Sequence, residues 1–514
     1  MTASTEEAGQ TGQPGQGATP SAPRWGRQTS IIQFRQPAFW LFAVLLLFGA
    51  LVFGLEQAAM ASLATAWALS WGLILVYAVP VAFLIYRIDL FEREPKSMLA
   101  GAILWGGVVA TGVAMFANEA WLSVVGKVAS PDFAAQWGAA LVGPGVEETL
   151  KLMGVVTLFL IASSEFDGVM DGFVYGAMVG LGFTVVEDIS YFFLAAAAVP
   201  GTVSQTGPVF DTFLIRVGAG GLYGHVLFTG LTGMGFAYLV TQHRVPLSRR
   251  ILGAALCVAA GVAAHAVWNS PITDFVLNTS GGGDPSVLQW IAFGALKGMP
   301  FLILLGVLVY LATRSEERDY RVIVAGEPDP MVVTNDEMKS LGSLWARRAA
   351  RTAAGRSHGP AAARLVGQLQ AAQIEYAMVR SNADSLSDPA LDAQRMKIRW
   401  IRAQMAGTPP PVPMLRPAIA PARIGAPAPG PTPAPTPAPT PAPGAVREPS
   451  LAIHLVPGAG IAAWPTPDGS RLPSAVLPPR LELVVEARNG PWAEVRAANG
   501  WRGWVDGRLL VDRP

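Results

Sequence analysis

Glu147 and Glu148 stand side by side in an apolar stretch, in Gly143-Pro-Gly-Val-Glu-Glu-Thr-Leu-Lys151. On a helix Glu147 and Lys151 share one face, and Glu148 reaches the same lysine from three residues away. One ammonium offsets one carboxylate. The second is then free to accept a proton or bind a metal. The competing use of such a set is an ion pair that fixes helix packing, but two adjacent buried carboxylates are more charge than packing needs. Pro144, between two glycines, is expected to open the helix just before the pair.

Three further sets lie in apolar stretches. Gly182-Phe-Thr-Val-Val-Glu-Asp188 puts Phe183 and Glu187 on one helix face, with Asp188 turned about 100° away. A carboxylate there can also reach for the membrane surface. His225 lies in Gly224-His-Val-Leu-Phe-Thr-Gly230, where a lone histidine is a ligand or a hydrogen-bonded packing residue. In His265-Ala-Val-Trp-Asn269 the His and Asn share a face. That pair can bind a metal, position a water and an oxyanion, or make an interhelical contact. Lys297 is a weaker candidate, because a lysine near a span end can extend its ammonium to the interface.

These residues need elements that hold them at membrane depth. Of the 514 residues, 51% are hydrophobic and 14% charged, against about 25% charged in soluble domains. Mean hydropathy is +0.38. The apolar excess lies between Pro37 and Thr313. A membrane-crossing helix needs about 20 apolar residues. Eight runs qualify, near 37–56, 62–86, 98–123, 135–162, 170–198, 213–241, 250–270 and 288–313. The net charge of +1 and the lack of a basic tract give no reason to expect nucleic acid. The single Cys257 excludes an intrachain disulfide.

Basic residues in the connections set the expected orientation. With the N-terminus inside, Arg24, Arg27, Arg35, Arg87, Arg93, Lys96, Arg244, Arg249, Arg250, Arg314, Arg318 and Arg321 are cytoplasmic, and only Lys127 and Arg216 are outside. Both termini are therefore expected in the cytoplasm. Glu187 then lies ~25 Å and His265 ~22 Å from the inner ends of their spans. Glu147 and His225 lie ~15–20 Å from the outer ends of theirs. Four spans thus bring Glu, Glu, His and His to the outer half of a core ~30 Å thick.

Glu147-Glu148-x-x-Lys151, Phe183-x-x-x-Glu187, His225 and His265-x-x-x-Asn269 together resemble the motifs of the PrsW family of intramembrane metalloproteases, which is similar to a broader group containing the CAAX-type prenyl endopeptidases. Tyr86-Arg-Ile-Asp-Leu-Phe-Glu-Arg-Glu-Pro95 and Glu165-Phe-Asp-Gly-Val-Met-Asp-Gly-Phe-Val-Tyr-Gly176 extend the resemblance, which covers roughly 70–315. It implies peptide-bond hydrolysis of a membrane-protein substrate in the bacterial cytoplasmic membrane. Glu147 or Glu148 would be general base, His225, His265 and Glu187 the ligands of a metal, Asn269 an oxyanion donor, and Lys151 the holder of the glutamates. Zinc rests on the resemblance alone, since His-Glu-x-x-His is absent. A metal-free glutamate mechanism is the alternative within this class. A non-enzymatic sensor, or a proton or ion pathway, is the alternative outside it. No second Glu-Glu motif marks an inverted repeat of the transporter kind.

The remaining chain divides by composition. Residues 1–36 read as a disordered tail, 316–407 as soluble helices and 408–449 as a Pro/Ala/Thr-rich spacer of polyproline type. Residues 450–514 are β-rich, with turn signals at Asn489-Gly490 and Asn499-Gly500. Their stretch 499–510 resembles bacterial Src-homology-3-like domains, which implies a peptide partner. The expected whole is an all-α polytopic membrane protein with about eight spans, a soluble helical region and a small C-terminal β-barrel.

Overall fold

The computed structural model describes residues 25–199, 205–220, 223–272, 275–276 and 286–407. In the C-terminal part it describes 453–456, 461–464, 466–467, 475–477, 481–497 and 501–512. The expected spacer 408–449 and the first 24 residues of the expected tail lie outside the described residues. The chain forms two compact units, Met1–Ile401 and Arg402–Pro514.

In the first unit, α1 (Pro37–Met60) and α2 (Ala64–Ile88) are joined by a short 3-10 turn. Next come α3 (Lys96–Leu104), a π turn at Trp105–Ala110, and α4 (Thr111–Val128). Then follow α5 (Pro131–Ile161), α6 (Val169–Ala197) and α7 (Thr206–Phe213), the last running into a π turn at Leu214–Ala219. The helices α8 (His225–Thr241), α9 (Leu247–Asn269) and α10 (Val287–Val324) complete the apolar region.

Among the described residues five helical stretches are long and apolar enough to cross a membrane: Pro37–Ile88, Lys96–Val128, Val169–Ala197, Leu247–Asn269 and Leu288–Val324. The eight expected runs all fall on helices, but not all as single spans. The run 213–241 divides between the π turn and the 17-residue α8, with Gly224 as the N-cap of α8. Glycines at 218, 220, 221 and 224 give this stretch little helix preference. α5 is unbroken through Pro144, so the proline does not open the helix as expected. Large apolar side chains face outward on the flanking helices, with Leu47 74%, Val76 71% and Leu296 68% exposed. Such a surface suits lipid rather than water. This is a multi-pass membrane protein.

At its centre is α6, apolar on all sides and largely buried, as a helix enclosed by others must be. It packs most extensively on α8. Gly172, Gly176 and Gly180 give it a smooth face against the α8 backbone, the close approach that small residues allow between membrane helices.

Residues 25–36 of the expected tail are ordered parts of this unit. Trp25 is buried, its ring near Phe91 and Tyr320. Its N–H donates to Ser381 Oγ (3.1 Å), and its carbonyl accepts from Asn382 Nδ2 (2.7 Å). α11 (Asn335–Leu341), α12 (Leu344–Asn382) and α13 (Pro389–Met405) build a second core with Tyr320, Ile323 and Val324 of α10. α12 bends at Gly359, whose φ of 82° precedes Pro360. Arg395 holds Glu327 with two parallel bonds of 2.9 and 2.8 Å.

Burial raises the Glu327 carboxyl, but the bonds from Arg395 and Tyr376 outweigh it and hold it below 4.5. A depressed folded value means the pair stabilises fully above the unfolded carboxylate value and fails as pH falls through the folded one. The helical region is therefore expected to weaken below about pH 4. Glu327→Gln should flatten that part of a melting-temperature profile against pH.

In the C-terminal unit, β1 (Ile453–Leu455), β2 (Ile461–Trp464), β3 (Ala475–Leu477), β4 (Glu482–Asn489), β5 (Trp492–Ala497), β6 (Arg502–Asp506) and β7 (Val511–Asp512) form one antiparallel sheet. The order is β3-β2-β6-β5-β4-β1-β7. Gly490, with φ 58°, makes the predicted turn between β4 and β5. The signal at Asn499-Gly500 lies outside the described residues. Leu483, Ala493, Val495 and Val505 are fully buried and carry the core. The sheet is open rather than the closed barrel expected. Its edges β3 and β7 have three and two residues and do not pair with each other among the described residues.

Candidate active site

Four helices bring the polar residues together. α5 supplies Glu147, Glu148 and Lys151, α6 supplies Glu187, α8 supplies His225, and α9 supplies His265. Lys151 is fully buried, and Glu147, Glu148, His225 and His265 are each at most 5% exposed. Taking such charges out of water costs several kcal/mol per ion unless they are paired and hydrogen-bonded.

The pairing is complete around Lys151. Its Nζ lies 3.2 Å from Glu147 Oε2, 2.9 Å from Glu148 Oε1 and 2.7 Å from His225 Nδ1. An ammonium has three protons, and here each meets an acceptor. The ammonium also sits 3.7 Å from the centre of the Phe183 ring, which explains the Phe183-x-x-x-Glu187 spacing.

Each histidine is fixed on one nitrogen by a carboxylate. His265 Nδ1 lies 3.0 Å from Glu148 Oε1, and His225 Nε2 lies 2.8 Å from Glu187 Oε2. A carboxylate partner on one nitrogen makes that nitrogen the N–H donor and leaves a lone pair on the other. The lone pairs are thus His265 Nε2, 3.7 Å from Glu147 Oε2, and His225 Nδ1, which accepts from Lys151. His265 stacks on Phe228 with ring centres 4.7 Å apart.

Glu147, His225 and His265 each offer a ligand atom within 4.8 Å of the others. Two imidazoles and a carboxylate are a donor set suited to a zinc-type ion, and the carboxylate on each outer imidazole nitrogen is the usual support for such ligands. The donor types therefore fit a metal, whose place is taken here by the Lys151 ammonium on His225 Nδ1 and Glu147 Oε2. Glu187 stands outside this group, on the outer nitrogen of His225.

The structure adds residues that the sequence did not single out. Arg216, from the π turn after α7, lies 2.7 Å from Glu187 Oε2, bonds Asp188, and covers Tyr191 at 3.9 Å. Asn118 of α4 donates to Glu147 Oε1 (3.0 Å), and Thr229 donates to Glu148 Oε2 (2.9 Å). Two signals were available: an amide in an apolar span, and a hydroxyl one turn after His225. Asn269 donates to the Ala139 carbonyl (3.2 Å) and stands beside Glu147 across Gly143. Lys297 binds the Trp268 carbonyl at 3.0 Å, away from the cluster. A cavity of about 20 Å³ beside His225, lined by Thr184, Arg216 and Trp268, has room for about one water.

Gly180 sets the height of His225, because a Cβ there would collide with the His225 carbonyl oxygen. Gly180→Leu should push α8 off α6 and cost roughly 1–3 kcal/mol by overpacking. A melting-temperature comparison with Gly224→Ala, where a Cβ meets open space, checks this.

The profile of the PrsW family intramembrane metalloproteases matches residues 94–322. "Protease PrsW" of Geobacillus kaustophilus (strain HTA426) is 35% identical over 143 residues, which is 28% of this chain and 60% of that relative. No solved structure matches the chain. The matched stretch, residues 94–322, holds every polar side chain of the cluster.

Proposed function

We propose that the chain is an intramembrane protease that cuts peptide bonds of a membrane-protein substrate, with Glu147 activating the attacking water. The carrying observation is the inward-facing set of Glu147, His225 and His265, each held from behind by another side chain. Glu148 accepts from Lys151, His265 and Thr229. A carboxylate with three donors is a poor proton acceptor, so Glu148 is the positioning residue. Glu147 Oε2, facing His265 Nε2 across 3.7 Å, is the better base.

A divalent ion, zinc by its donor set, held by His225 and His265 beside Glu147 would lower the pKa of a water and polarise the scissile carbonyl. The chain's own residues do the rest. Glu147 takes the water proton. Asn269 turns its amide from Ala139 to the developing oxyanion. Arg216 pairs with Glu187, which in turn holds His225. The site lies in the outer half of the bacterial cytoplasmic membrane with both termini inside, and the C-terminal sheet binds a cytoplasmic peptide.

The test compares membrane proteins of cells with and without the chain, followed by cleavage of the candidate substrate in liposomes. Fragments that depend on His265 support the proposal. Ion or proton flux without any fragment would overturn it in favour of a pathway protein.

A further inference from the structure

A second polar cluster lies at the other end of α6, where Asp171 is ~24 Å along the axis from Glu187. The turn 89–95 between α2 and α3 brings Asp89, Glu92 and Glu94. The turn before α6 brings Glu165 and Asp167, α6 brings Asp171, and α10 brings Glu316. Asp89, Glu92, Glu94, Glu165, Asp171 and Glu316 are all buried, at most 8% exposed. Among the described residues none of these seven carboxyl groups makes an ion pair. Arg347 acts on Asp89 through space without pairing with it: its Nε donates to the Leu341 carbonyl, and its Nη2 is buried without a hydrogen-bond partner.

Backbone and hydroxyl groups satisfy one side of the cluster. Asp89 Oδ1 accepts from the Phe91 and Glu92 N–H groups, and Asp171 Oδ2 from those of Asp167 and Gly168. Glu165 Oε1 accepts from the N–H groups of Arg27 and Thr29, which lay the N-terminal segment across the cluster, and Tyr175 donates to Glu94. Six oxygens remain buried without a hydrogen-bond partner: Asp89 Oδ2, Glu92 Oε2, Glu94 Oε1, Glu165 Oε2, Asp167 Oδ2 and Glu316 Oε2. A buried acceptor left without a donor costs roughly 1–3 kcal/mol, more if charged, and six together need a common partner.

We propose that Asp89, Glu94 and Asp171, with Glu92, Asp167 and Glu316 around them, bind a hard divalent cation, calcium or magnesium, at a structural site separate from the histidine cluster. Ligand atoms of Asp89, Glu94 and Asp171 lie within 4.8 Å of one another. Oxygens across a calcium shell of 2.3–2.6 Å radius stand up to about 5 Å apart. The donors are all oxygen, which selects calcium or magnesium over zinc. Burial, then the facing Asp171, push Asp89 up to about 7 and Glu94 well above the ordinary carboxylate range. The alternative resident is therefore a set of shared protons, and the test separates the two. By joining both turns, α6 and α10 under the N-terminal segment, the ion would fasten the membrane helices to the helical region that follows.

The experiment uses the full chain in detergent, stripped with EDTA, at pH 8. Terbium is added first, since emission sensitised by the nearby Tyr175 and Trp25 reports occupancy without any variant. Calcium and magnesium then compete in separate arms, which tells the two apart. The expected results are sensitised emission, its displacement by one of the two ions, and a rise of roughly 5 °C in melting temperature at saturation. Glu94→Gln with Asp171→Asn should weaken binding at least tenfold and melt no lower than the parent in EDTA, because it removes unpaired acid. Absent emission, no stabilisation by either ion, or unchanged binding in the double variant would overturn the proposal in favour of shared protons.

Discussion

Glu147→Gln is expected to lower cleavage roughly 10²–10⁴-fold, the usual worth of a general base, while the protein stays folded. The glutamine keeps an oxygen for Asn118, and Lys151 keeps Glu148 and His225. Glu148→Gln is expected to cost less, about 10–100-fold, the usual effect of a group that orients a ligand. Its oxygen still accepts from His265 or Lys151, and its amide can turn toward Thr229. Initial rates on one liposome-embedded substrate give both numbers, and circular dichroism controls for folding. The order decides the assignment. A larger loss at Glu148 than at Glu147 would make Glu148 the base and overturn the reading from hydrogen bonds.

The cluster was legible in the sequence because membrane depth makes polar residues expensive. Glu147, Glu148, Lys151, Glu187, His225, His265 and Asn269 stood out against apolar surroundings, and helical spacing alone put Lys151 under both glutamates. What spacing could not supply was the pairing between helices. It offered Glu187 as a ligand beside the two histidines, whereas the fold turns it to the outer nitrogen of His225 and gives Glu147 the inner position. Arg216 counted only as a charge in a connection, yet the π turn carries it into the site. The acidic turns were quoted as matching segments without a role, because Asp89 and Asp171 are 82 positions apart and meet only through tertiary structure. Trp25 was hidden in a stretch of disordered composition. Its partners Phe91, Tyr320 and Ser381 lie far along the chain.

Lys151→Met is expected to give the largest change in stability and to reveal where a metal would sit. Among the described residues the ammonium is the only lysine or arginine charge on Glu147 and Glu148, and it is the donor to His225 Nδ1. Removing one partner of a buried ion pair costs about 3–5 kcal/mol because the other charge stays behind. In EDTA the variant should therefore melt far below the parent. The three acceptors that lose the ammonium are the two metal-capable donors Glu147 and His225 together with Glu148, which orients the third, His265. In the parent, a divalent ion must displace Nζ from His225 Nδ1 before it can use that nitrogen. In the variant the nitrogen is free, and the uncompensated carboxylates draw the ion in. Zinc at a hundred times its dissociation constant returns ~2.7 kcal/mol, so it should restore most of the lost melting temperature in Lys151→Met and raise the parent much less. Thermal melts of both proteins across a zinc series make the comparison, with Lys151→Met/His265→Ala as the control that lacks one donor. Equal zinc responses in parent and variant would mean that Lys151 does not occupy the ion's place, and that the ion, where bound, uses a different set of ligands.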